Sequence, residues 1–144
     1  MSNWDSSLPT AEQEGQVRTL YPPGLKLPMA APNDLGHIAA QLLAEPVEGT
    51  GVYYVEGPER YSSADVAKAF GAALGKPVEA VETPREQWVP ALTAMGFSAP
   101  GAESMAAMAA ITLAKEYDLP NTPHRGPTSL DSYVKELVAA NQGR

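Results

Sequence analysis

Asp34 and His37 stand three residues apart in a segment where Leu35, Ile38, Ala39, Leu42 and Leu43 recur at helical spacing. Residues so spaced share one helix face, so the carboxylate can orient the imidazole as a general base if a substrate lies within hydrogen-bond reach. The plain structural reading comes first: an aspartate in the first turn answers the positive end of the helix, Gly36 allows close packing, and a lone histidine is most often a surface residue. A hydrolase built on this pair would lack a nucleophile and an oxyanion hole, so it ranks far below other readings. A second constellation is Trp88, Met95, Phe97, Met105 and Met108. Thioethers and rings adapt to varied shapes, so these five can line a pocket for a small apolar or aromatic ligand. At helical spacing they also read as core.

Most other chemistries lack their residues. There is no cysteine, which removes thiol catalysis, disulfide scaffolds and Cys-based zinc sites, and two histidines far apart give no metal centre. No Gly-x-x-x-x-Gly-Lys phosphate loop and no Gly-x-Ser-x-Gly nucleophile elbow occurs. Lysine never stands four residues after a tyrosine, the spacing that lowers a catalytic tyrosine's pKa. The nearest approach to a dinucleotide turn, Gly71-Ala72-Ala73-Leu74-Gly75, closes a helix instead of linking a strand to a helix start, so the backbone amides are not presented to a pyrophosphate. No catalytic residue is assigned.

The elements that would position these residues are legible in part. Residues 1–32 are interrupted by Pro9, Gly15, Pro22, Pro23, Gly24, Pro28 and Pro32, and support only short extended pieces near Val17 to Leu20 and Leu25 to Ala30. Asn33 is a candidate cap for a helix that ends at Ala44 or Glu45, before Pro46. A turn at Glu48 to Gly51 leads to a strand at Val52 to Val55, where Tyr53 and Tyr54 point to opposite faces, one buried and one exposed. Ser62 and Asp65 open a second helix closed by Gly75. A strand follows at Pro77 to Val81. Thr83, Pro84 and Glu86 then combine three signals for a helix start, with Gly96 as its stop. Ala102 to Tyr117 reads as an Ala/Met-rich helix, Pro120 to Pro127 as a loop, and Thr128 as the cap of a last helix carrying Leu130, Tyr133, Val134, Leu137 and Val138. Alternating helices and short strands make a helix-rich α/β domain, or α+β if the piece stands alone.

With 144 residues, 44% of them hydrophobic, the chain is one domain able to bury a core. Its 10 Lys+Arg against 17 Asp+Glu, without a basic cluster, argue against nucleic acid as a partner. No apolar run approaches a bilayer span, and Met1-Ser2-Asn3-Trp4-Asp5 has neither a basic region nor an apolar core, so no membrane partner and a cytoplasmic location are expected.

Several short stretches carry a resemblance. Asn3-Trp4, the run Leu27-Pro28-Met29-Ala30-Ala31-Pro32-Asn33-Asp34-Leu35-Gly36-His37-Ile38-Ala39-Ala40, Tyr53-Tyr54-Val55-Glu56-Gly57-Pro58-Glu59 and Leu74-Gly75-Lys76-Pro77-Val78 resemble the C-terminal portion of NmrA-like proteins. Arg125-Gly126-Pro127-Thr128-Ser129-Leu130-Asp131-Ser132-Tyr133 is similar to the closing segment of bacterial members. These are atypical short-chain dehydrogenase/reductases that bind NAD(P). The resemblance implies the last elements of a Rossmann-type nucleotide domain in residues 1–32, loosely held here, and a substrate-binding lobe in residues 33–144. It implies that Asn3 and Asp34 face the cofactor and that Trp4 meets the substrate, while His37 and the pocket candidates Trp88, Met95, Phe97, Met105 and Met108 fall within the implied substrate lobe. The family's glycine-rich turn has no counterpart, so NAD(P) is not expected to bind this chain alone. The implied function is the substrate part of an NAD(P)-dependent reductase or redox sensor, inactive by itself. The alternative is a non-catalytic small-molecule-binding or dimerising module. Apolar surface left uncovered on the 33–44 helix or the 52–55 strand would favour homo-oligomers.

Overall fold

A computed structural model describes residues 1–46, 51–117 and 122–142. The fold is mixed α/β with short strands, in agreement with the sequence reading. The expected turn residues Glu48 to Thr50, and Pro120 and Asn121 of the expected loop, lie outside the described residues.

The N-terminal segment contributes to the core. A 3-10 turn at Ser2–Ser7 runs into helix α1 (Leu8–Glu14), which ends at Gly15 and leads directly into strand β1 (Gln16–Thr19). Met1, Leu8, Ala11 and Val17 are all core residues. The prolines that suggested looseness sit where they cost little: Pro9 is in the first turn of α1, where its missing N–H has no intrahelical partner to lose. Strand β2 (Leu27–Pro28) follows, then helix α2 (Pro32–Ala44). Pro32 occupies the first helical position and Ala31 the cap, so Asn33 lies inside the helix and does not cap it.

Strand β3 (Val55–Glu56) is shorter than expected, and Tyr53 and Tyr54 precede it, 58% and 40% exposed, so neither is buried. Strand β4 (Arg60–Tyr61) pairs antiparallel with β2. Helix α3 (Ser63–Leu74) starts as its sequence indicates: Ser62 Oγ accepts from the Asp65 N–H while the Asp65 carboxylate accepts from the Ser62 N–H at 2.8 Å. This reciprocal cap satisfies two donors that the first turn otherwise leaves orphaned. Strand β5 (Glu79–Glu82) lies parallel to β1, with Val17 opposite Ala80.

Helix α4 (Trp88–Ala94) begins four residues later than the local signals suggest. The Thr83 N–H continues the β1–β5 ladder by donating to the Thr19 carbonyl at 2.8 Å, so Thr83 stays extended and a 3-10 turn at Arg85–Gln87 makes the corner. Helix α5 (Ala99–Ala114) packs chiefly on α4. Part of the expected loop forms strand β6 (His124–Arg125), parallel to β3. Helix α6 (Leu130–Gln142) packs on α3, and its Leu130, Val134 and Val138 close the core with Val66, Phe70 and Val17. Thr128 does not cap α6. Ser129 does, its Oγ accepting from the Ser132 N–H at 3.2 Å.

Candidate functional site

The polar residues of this chain converge where the start of α2, the β3–β6 pair and the approach to α6 meet. Asp34 is the one buried residue of α2. Its Oδ2 accepts from the Thr128 N–H and its Oδ1 from the Thr128 hydroxyl, both at 2.8 Å. The close approach depends on Gly126: a Cβ there would stand 2.3 Å from Asp34 Oδ2, far inside contact distance. The Gly126 N–H in turn donates to the Glu56 carbonyl at 2.8 Å, which fixes the 124–128 segment against β3.

Glu56 lies beside this clasp, 2% exposed. A buried carboxylate is tolerated only when paired and hydrogen-bonded. Arg60 supplies a two-point contact at 3.0 and 2.9 Å, and Arg125 approaches at 3.7 Å. Arg125 also donates to the Gly57 carbonyl at 2.9 Å. Gly57 is needed for a second close approach, because a Cβ there would lie 2.5 Å from the Met29 carbonyl that accepts the Gly57 N–H. On the far side of α6, the Tyr133 hydroxyl donates to the Asp5 carboxylate at 2.9 Å. Burial, and then this hydrogen bond to a carboxylate, push the phenol up to about 12. It is therefore a poor proton donor at neutral pH.

The sequence-derived candidates fall into three places. Asp34 does not orient His37: both carboxylate oxygens serve Thr128, while His37 is exposed. Asn3 is exposed on the first turn, and Trp4 packs against the core. Trp88 faces inward, 4% exposed, with its indole N–H donating to the Thr83 carbonyl at 2.9 Å and the Arg85 guanidinium 5.6 Å from the ring. Met95, Phe97 and Met108 face outward, at 64%, 38% and 49% exposure, and Met105 is half-buried. The five apolar candidates are thus divided between the inside and the outside of the α4–α5 pair. Sequence reasoning missed Glu56, Arg60, Arg125, Thr128 and the Asp5–Tyr133 pair. The spacing Glu56-Gly-Pro-Glu-Arg60 was a usable signal, since a Gly-Pro turn folds the arginine back on the glutamate.

A model of the NmrA-like family matches residues 1–135. The chain belongs to the NmrA-like family. It is 39% identical over 72 residues to an NAD(P)H azoreductase of Xenophilus azovorans, a match that covers 50% of this chain and 25% of that protein. It is similar in fold to an NADPH-dependent quinone oxidoreductase of Escherichia coli complexed with NADPH, with a TM-score of 0.76 and 22% identity over 94% of this chain and 50% of that one. The triphenylmethane reductase of Citrobacter sp. complexed with NADP(H) matches with a TM-score of 0.74 and 20% identity, over 94% of this chain and 48% of that one. This NmrA-like chain therefore spans about half the length of the solved relatives and a quarter of the azoreductase.

Of the two residues that the resemblance assigns to the cofactor, Asp34 has both oxygens committed to Thr128 and Asn3 stands alone on the surface. No glycine-rich turn joins a strand to a helix start among the described residues. No group of three metal-ligating side chains occurs among them, and no helix is long and apolar enough to cross a membrane.

Proposed function

We propose that this chain is the substrate-side portion of an NAD(P)H-dependent reductase of the NmrA-like family, acting on a conjugated aromatic acceptor. The family match over 1–135 carries the reading, and the names of the similar proteins, which reduce quinones, azo compounds and triphenylmethane dyes, supply the substrate class. In this reading residues 33–144 are the substrate lobe, and the packed segment 1–32 comprises the last elements of the nucleotide domain. NAD(P)H would supply hydride. The chain's own residues do other work: Asp34, Thr128 and Gly126 fix the start of α2 against α6, and Glu56 with Arg60 and Arg125 fixes β3 against β6. Hydride transfer requires the cofactor's reactive carbon about 3 to 3.5 Å from the acceptor, and a pyrophosphate anchor supplies that positioning. No such anchor occurs among the described residues, and in this reading the chain by itself binds acceptor weakly and transfers no hydride.

Calorimetric titration with NADPH and NADH, beside fluorescence titration of Trp4 and Trp88 with a naphthoquinone and an azo dye, tests this. Quenching by the aromatic acceptors with no micromolar heat from either dinucleotide is the expected result. Micromolar dinucleotide binding, or NADPH consumption with quinone, would overturn the claim that the chain lacks a nucleotide anchor. Absence of acceptor binding would favour the second reading, a dimerising module without chemistry, which draws support from the exposed Leu35 and Leu43 on α2 and from Val52 and Tyr53.

A further inference from the structure

Helix α3 and the segment entering β5 leave a groove of about 520 Å³ between them. Ala64, Ala67, Lys68 and Gly71, at three-and-four spacing on α3, form one wall, and Val78 and Ala80 belong to the other. The short side chains of the helix keep the groove open. Strand β5 runs along it with an unpaired edge, since β1 is its one neighbour among the described residues. The Glu79 and Thr83 N–H groups donate to the Gly15 and Thr19 carbonyls at 2.9 and 2.8 Å, and in a parallel ladder alternate residues face the same neighbour. The N–H and C=O of Ala80 and of Glu82 therefore point away from β1. A donor and an acceptor repeated at every second residue is the pattern that another extended backbone pairs with.

The charges narrow the occupant. Lys68 and Lys76 both line the groove, in a chain of net charge −7, and neither has a carboxylate within salt-bridge distance among the described residues. The Lys76 ammonium donates to the Glu12 carbonyl, and Asp65, one turn before Lys68, has its carboxylate on the Ser62 N–H and hydroxyl. Strand alternation turns the Glu79 side chain to the face opposite Val78 and Ala80, so it does not oppose an acidic group seated beside α3. A second copy of β5 is a poor mate, because Glu79 and Glu82 of each strand would put four carboxylates on one short ladder. We propose that this groove is a strand-addition site for an extended segment of a partner protein, which exchanges backbone hydrogen bonds with Ala80 and sets an acidic side chain against Lys68. This concerns a protein partner and stands apart from the redox reading.

The probe is the acetylated and amidated peptide Thr-Val-Asp-Val-Asp-Val-Thr, titrated into the full chain and followed by amide hydrogen exchange in NMR. The Ala80 and Glu82 amides are expected to exchange about tenfold more slowly at saturation, whereas those of Glu79 and Val81, already bonded to β1, change little. Ala80→Pro removes the outward N–H without touching the β1 ladder, and should abolish binding with the circular dichroism spectrum unchanged. Lys68→Glu, on an exposed position, keeps the fold and should weaken the peptide about five-fold, and a peptide with lysine in place of aspartate should reverse that order. No binding at millimolar peptide, binding that leaves the Ala80 and Glu82 amides unprotected, or an affinity indifferent to the charge at position 68 overturns the proposal. Protection of those two amides in the free chain that rises with its concentration overturns it as well, in favour of self-pairing.

Discussion

Replacing Asp34 with Ala removes two hydrogen bonds to a charged acceptor and leaves the Thr128 N–H and hydroxyl without their partner. Hydrogen bonds to charged groups contribute about 1.5 to 3 kcal/mol each, and the two here share one side chain, so the expected loss is about 2 to 4 kcal/mol. For a chain of this length that lowers Tm by about 5 to 15 °C. Gly126→Ala should cost a similar amount for a different reason, since its Cβ would collide with the same carboxylate. The two changes are therefore coupled. In the Asp34→Ala background the collision with the carboxylate is gone but the retained Cβ of residue 34 still obstructs the extra methyl, so Gly126→Ala should cost less than it does alone without becoming neutral. Urea unfolding of the wild type, both single variants and the double variant closes this cycle. Hydrogen exchange across 32–44 adds a local readout, because Asp34 is the one side chain of α2 that is buried. Additive costs within about 0.5 kcal/mol, or an Asp34→Ala variant that melts within 2 °C or so of wild type, would refute the clasp.

Glu56→Gln weakens the two-point contact with Arg60 and the approach of Arg125, and should cost about 2 kcal/mol in urea unfolding, less than a fully buried pair because both arginines reach solvent. Tyr133 carries an alkaline signature: its folded pKa, raised to about 12, exceeds the unfolded value near 10, so its contribution is present below pH 10 and is lost as pH rises toward 12. Tyr133→Phe should flatten that limb of the stability curve, and absorbance at alkaline pH should show one tyrosine ionising late. Asp65 gives the acid limb: the Ser62 N–H holds its carboxyl below the usual value, so the stability it contributes is present above about pH 4 and is lost as pH falls further. Ser62→Ala should remove about 1 kcal/mol at neutral pH, read by thermal unfolding.

What the sequence discloses follows the distance over which each determinant acts. Helix α3 has its cap, apolar face and terminating glycine within fourteen residues, 62 to 75, and begins and ends where those signals stand. Thr83 and Thr128 carried equally good local signals and were misread, because each has a stronger partner far away. Thr83 keeps its strand pairing with Thr19, and Thr128 turns both of its donors to Asp34 across 94 positions. The contribution of the N-terminal segment to the core has the same long-range origin. Its prolines were visible, but the burial of Leu8, Ala11 and Val17 depends on α3 and α6, which lie more than forty residues away.

The candidate site shows how such motifs should be read. Asp34 attracted a catalytic reading because an aspartate three residues before a histidine resembles an acid–base pair, and spacing alone does not say where the carboxylate points. Burial decides it: Asp34 is 5% exposed and saturated, whereas His37 is exposed, so the two experience different solvents and cannot exchange a proton through a shared hydrogen bond. The closing segment has the same character. In Arg125-Gly126-Pro127-Thr128-Ser129, the arginine answers Glu56, the glycine admits Asp34, the threonine binds it, and the serine starts α6. The stretches through which the family resemblance was seen are fasteners between elements distant in sequence. Such a run ties elements together whatever the chain binds, so its chemistry, however suggestive in sequence, describes packing before it describes a ligand.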